Sequence, residues 1–335
     1  MLPLLVLAPG LCAGLCLALR SARATLRFCA AGTVAVCAAA VALALTVLRR
    51  GPLCGAGGWF MLDALAAFHL LVLAAVFALS GLYSLGYFRV ERERGEFPAR
   101  LARRFGALWF GGLAAMMLVL VAGNLGLLWV GVEATTLLTA FLICTHRSAG
   151  ALEAMWKYLV MCSVGVALAF VGLLLMAAAT SAAGVDGREA LLWIRLCAAA
   201  GNLDPGFMKA GFLFLVVGYG TKAGLAPMHN WLPDAHSQAP APVSAVFSGF
   251  LLNAALYGIL RCLPLVEAAT GNTGWARDVL LLFGLLSILV AAVFIVAQRH
   301  VKRVVAAQCD AIQVWRFECP ATGDAMTVAA LVLFY

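Results

Sequence analysis

The sequence predicts an all-α bundle of membrane-spanning helices. Three observations predict it: the composition, the length of the apolar runs and the side on which basic residues fall. Hydrophobic residues fill 64% of 335 positions and charged residues only 11%, with a mean hydropathy of +1.02. A soluble domain is about half apolar and about a quarter charged. Apolar runs lie at 2–20, 28–48, 60–82, 105–122, 125–145, 155–180, 207–225, 242–263, 278–297 and 325–335. That makes about ten spans at the roughly 20 residues a bilayer requires. If each run crosses, one side collects Arg20, Arg23, Arg27, Arg89, Arg92, Arg94, Arg100, Arg103, Arg104, Arg147, Arg299, Lys302 and Arg303. The other holds only Arg49, Arg50, Arg188, Arg195, Lys209, Arg261 and Arg277. This is the cytoplasmic bias of basic loops, so the net charge of +8 requires no nucleic acid to explain it.

Three connections stand out. Residues 88–105, "FRVERERGEFPARLARRF", alternate acid and base. Residues 181–205 carry a short amphipathic piece, and 298–304, "QRHVKRV", form a basic loop. The eleven cysteines are scattered without a CxxC pair and read as small hydrophobes rather than ligands. No flavin, nicotinamide or metal-cluster motif is present, so the expectation is no cofactor and no catalysis by this chain alone.

Ionisable groups inside spans are costly and face protein or water. Glu133 lies mid-span, with Thr135, Thr136 and Thr139 near enough to shield it. Lys222 follows a long apolar run in "GTKAGLAPMHNWLPDAH". Gly220 and Gly224 loosen the backbone there, and Pro227 and Pro233 remove helical donors. The spacing predicts a helix interrupted near 220–230, a device membranes tolerate where backbone is buried or lines a wet cavity. His229, Asp234 and His236 follow, suited either to proton relay or to satisfying freed backbone groups. Lys157 lies one turn after Glu153, a spacing that serves a surface ion pair or an inward proton lead. Asp63 opens the third span as an interfacial residue, with His69 deeper.

The stretches "WVGVEATTLLTAFLI", "GTKAGLAPMHNWLPDAHSQAPAPVSAVFSGFLLNAALYGILR" and "DALAAFHLLVLAAVFALSGLYS" resemble the antiporter-like proton-pumping membrane subunits. That family serves NADH–quinone oxidoreductase, multisubunit cation/proton antiporters and membrane-bound hydrogenases. The long motif most resembles the hydrogenase-4 and formate hydrogenlyase component F type. The resemblance covers roughly residues 55–307. It implies an inverted-repeat fold in which each repeat contains a broken helix. N-terminal helices would occupy 1–104, a first repeat 105–265 and the start of a second 266–335. Glu133 matches the glutamate of the first repeat and Lys222 the lysine on its broken helix. Asn253 aligns where many members carry a lysine or histidine. After about residue 307, "VKRVVAAQCDAIQVWRFECP" departs from the family pattern, so the second repeat is expected to be truncated.

The resemblance implies a proton-translocating subunit of a redox-driven complex. Its partners would be the other membrane and peripheral subunits of a hydrogenase or complex-I-like assembly, in a bacterial inner membrane. A subunit of a sodium/proton antiporter and a structural, non-pumping component are the alternatives.

Overall fold

The computed structural model describes residues 2–271 and 273–297. The expected run at 325–335, the departure after 307, and Arg299, Lys302 and Arg303 lie outside the described residues. The chain forms two compact units. The first holds residues up to 159 together with 238–254. The second holds 160–237 and the described residues from 255 onward.

In the first unit, α1 (Leu2–Ala18), α2 (Ala22–Arg50), α3 (Ala64–Glu93), α4 (Ala99–Val121) and α5 (Leu125–Ile143) run in succession. Between α2 and α3 the chain makes a small hairpin, β1 (Leu53–Gly55) against β2 (Phe60–Leu62), paired Leu53 to Leu62 and Gly55 to Phe60. The sequence reading missed it. Two positive-φ glycines, Gly57 and Gly58, turn the chain there, at φ 65° and 92°. Local caps fix the helix starts. The Asp63 carboxylate accepts from the Ala66 amide at 3.0 Å and begins α3. Asn124 accepts from the Gly126 and Leu127 amides and begins α5.

An aromatic column joins α3 to α4. Phe88 stacks on Phe97 at 4.3 Å between ring centres, Phe105 stacks on Trp109, and Phe77 meets Trp109 edge-on. The Trp109 indole donates to the Thr33 hydroxyl on α2 at 3.0 Å. Cys16 and Cys29 bring their sulfurs to 3.7 Å, with Gly106 opposite leaving them room.

The chain then continues through α6 (Ala149–Ala182), α7 (Trp193–Ala199), α8 (Pro205–Ala223) and α9 (Trp231–Gln238). It returns to the first unit as α10 (Ala241–Val246) and a π turn at Phe247–Leu251. From there α11 (Leu252–Ala269) and α12 (Trp275–Ala297) follow. Within the second unit α6 and α8 approach through glycines. A Cβ on Gly218 would fall 2.5 Å from the Gly165 carbonyl oxygen, and one on Gly172 would fall 2.6 Å from that of Gly211. Small residues that bring backbones together are the usual packing device of membrane helices.

Seven helices among the described residues are long and apolar enough to cross a membrane, counting Ala241–Ala269 as one, so the expected count of about ten is not confirmed. The 17-residue α1 is a shorter apolar helix. Leu4, Leu7, Leu11 and Leu15 form an exposed stripe along α1, as Leu282, Leu285, Leu289 and Val293 do along α12. Stripes of this kind are tolerated against lipid or another apolar surface, not against water.

Candidate functional site

The interruption expected near 220–230 is present. The helix α8 starts at Asp204, whose carboxylate accepts from the Phe207 amide at 2.9 Å, and stops after Ala223. Gly224 adopts the left-handed conformation at φ 82°, and the Leu225 amide reaches back to the Gly220 carbonyl at 2.8 Å. This is the six-to-one closure that ends many helices. Leu225 folds over Gly220: a Cβ there would meet the end of the Leu225 side chain at 3.0 Å.

Broken ends leave orphan backbone groups, and here side chains take them. The Trp231 indole donates to the Thr221 carbonyl at 2.8 Å. The Ala226 amide donates to the Ser287 hydroxyl on α12 at 2.9 Å. The Thr221 hydroxyl takes no orphan group and donates instead to Val217 O inside its own helix, at 2.8 Å. Pro227 lies in the connection and is exposed. Pro233, in contrast, falls in the first turn of α9, where its missing N–H costs nothing. The break is made by Gly224 and the segment around Pro227.

Lys222 occupies the last turn of α8 and is fully buried, at 0% exposure. Carbonyl oxygens gather at that helix end and favour a cation. His229 follows in the connection and His236 on α9. Both are buried, and Asp234 is half-buried. Lys222, His229, Asp234 and His236 all belong to the second unit.

In the first unit Glu133 is half-buried at the middle of α5. Its threonine neighbours turn to the backbone. Thr135 donates to Val132 O at 2.7 Å and Thr139 to Thr135 O at 2.7 Å. With its proton so used, Thr139 accepts from the Tyr158 hydroxyl at 2.8 Å. Lys157 pairs with Glu153 at 2.7 Å, with side chains 47% and 66% exposed. Asn253 donates to Gly249 O at 2.8 Å and so engages a carbonyl of the π turn. His69 is buried, with Nδ1 2.9 Å from Leu65 O.

Arg261 corrects the sequence reading. It is no loop residue but a buried member of α11, with its guanidinium 4.4 Å from the Trp193 ring centre and 5.8 Å from that of Tyr257. The sequence also missed Tyr158, Trp231 and Ser287. Of these, only Trp231 lay inside the conspicuous motif.

Residues 122–307 match the family described as "NADH:quinone oxidoreductase/Mrp antiporter, TM". The chain is 37% identical over 250 residues to a hydrogenase-4 component F homolog of Methylacidiphilum infernorum, covering 75% of this chain and 52% of that one. It is 28% identical over 288 residues to NADH-quinone oxidoreductase subunit N of Desulforudis audaxviator, covering 83% of this chain and 54% of that one. The chain thus spans about half the length of these relatives. A subunit of an archaeal membrane-bound sulfane sulfur reductase shares the fold, with a TM-score of 0.82 at 24% identity over 99% of this chain and 67% of that one.

Proposed function

Because the chain belongs to the NADH:quinone oxidoreductase/Mrp antiporter transmembrane family, we propose that it carries protons as an antiporter-like subunit of a redox-driven complex of the hydrogenase-4 or complex-I type. One observation carries this reading: Lys222 is wholly buried in the last turn before a helix break. An ionisable group inside a span is costly to bury, so an intramembrane lysine is by default functional.

Lys222 and Glu133 are the proton-carrying groups in this proposal. An outside event that changes the surroundings of either group shifts its proton between states. Electron transfer in partner subunits supplies that event. The break at Gly224–Pro227 offers the soft segment through which it acts, and His229, His236 and Asp234 extend the polar path. The membrane is the bacterial inner membrane, and the partners are the remaining subunits of such an assembly.

The family description also covers Mrp antiporters, so a sodium/proton antiporter subunit is the competing reading. Purification with native partners, identification of those partners by mass spectrometry, and proton uptake into vesicles with and without sodium separate the two. Redox subunits and sodium-independent uptake support the proposal. Small antiporter subunits and uptake that requires sodium overturn it.

A further inference from the structure

The start of α2 and the end of α3 lie side by side in the first unit, and an open cleft of about 410 Å³ lies between them. Its walls are Arg23 and Arg27 from α2 and Arg89 and Arg92 from α3, over Leu26 and Leu85. Glu93 is the one acid among these residues, and it is engaged by Arg89 at 3.0 Å and Arg92 at 4.0 Å. Four guanidinium groups against one carboxylate leave a net charge of +3. Arg23 and Arg27 are exposed, and Arg23 adds to the positive field that Glu93 feels. Ser21 gives α2 no side-chain cap, so the partial positive charge of that 29-residue helix adds to the cleft.

An apolar track leads away from these charges. Leu79, Leu82, Leu85 and Arg89 recur at helical spacing down one face of α3, and Leu79 and Leu82 are 69% and 52% exposed. An open basic cleft at the end of a span, continued by leucines toward mid-span, has the form of a lipid with its head and its tails. We propose that this cleft binds the phosphodiester headgroup of an anionic phospholipid, with an acyl chain along the leucine track. Basic pockets between helix ends are the general setting for such recognition. The inference goes beyond proton transport and stands whether or not Lys222 carries a proton.

The test uses the purified complex in nanodiscs of phosphatidylcholine with increasing phosphatidylglycerol, and reads retained lipid by native mass spectrometry. Arg23→Gln with Arg27→Gln should weaken phosphatidylglycerol retention about thirty-fold, two charges at the usual contribution of a basic residue near an anionic surface. Glu93→Gln should tighten it about five-fold on the same scale, and this exposed substitution needs no refolding of the bundle. Millimolar inorganic phosphate should fail to displace the lipid. Unchanged retention in both variants overturns the proposal. Displacement by phosphate alone makes this a small-anion site and overturns the lipid assignment. Loss of a partner subunit from the double variant, with lipid retained, makes it a protein interface and overturns it equally.

Discussion

The Trp231 indole N–H lies 2.8 Å from the main-chain carbonyl of Thr221, closing one side of a helix break with a side chain ten residues further along. The carbonyl would otherwise be an orphan at a buried helix end. Leaving a buried acceptor unmet costs about 1–3 kcal/mol. Trp231→Phe keeps most of the ring volume and removes the donor. We expect it to lower stability by about that amount, read as a drop in melting temperature of the detergent-solubilised protein.

Ser287 performs the matching task for the Ala226 amide. Ser287→Ala should cost about 1–3 kcal/mol for the unmet donor, again by thermal melting. Both side chains steady the same connection, so the double variant should depart from additivity by at least about 0.5 kcal/mol, as residues sharing one network do. Strict additivity would mean that the two caps act on separate segments.

Much of this arrangement was legible beforehand, and the boundary of legibility has a physical cause. Gly224 and Pro227 act on their own backbone, so the break could be read locally. The same holds for Asp63, which caps the helix it precedes. Ser287 meets Ala226 from 61 residues away, and Tyr158 meets Thr139 from a different helix. No period or propensity encodes those meetings. Arg261 was misread for a related reason: the apolar run 242–263 ends two residues beyond it, so it was counted with the loops. The helix continues through Pro264, and the aromatic face that accepts the charge, Trp193, comes from a distant short helix.

The close approach of α6 and α8 rests on Gly218, where an added Cβ would lie 2.5 Å from both the Gly165 oxygen and the Ala169 nitrogen. Backbone cannot yield as a side chain can. Gly218→Ala should destabilise by about 1–3 kcal/mol, the usual cost of overpacking. Gly187→Ala, with nothing within 4 Å of the added methyl, should stay within about 0.5 kcal/mol of the parent. Thermal melting of the pair checks the contrast.

Lys157 and Glu153 face outward, and exposed pairs of this spacing contribute about 0.3–0.5 kcal/mol. Lys157→Ala should therefore leave both the melting temperature and the proton uptake of the assembled complex nearly unchanged. A loss of uptake with stability intact would restore the pair to the proton path.

The central claim is that Glu133 and Lys222 carry the transported proton. Proton uptake by the complex with its native partners in sealed vesicles, compared among the parent, Glu133→Gln, Lys222→Ala and the double variant, tests it most directly. Groups that act as a unit are non-additive, so each single variant should abolish most uptake and the double variant should lose little more. Uptake at the parental rate in both single variants, with the complex intact, would contradict the account.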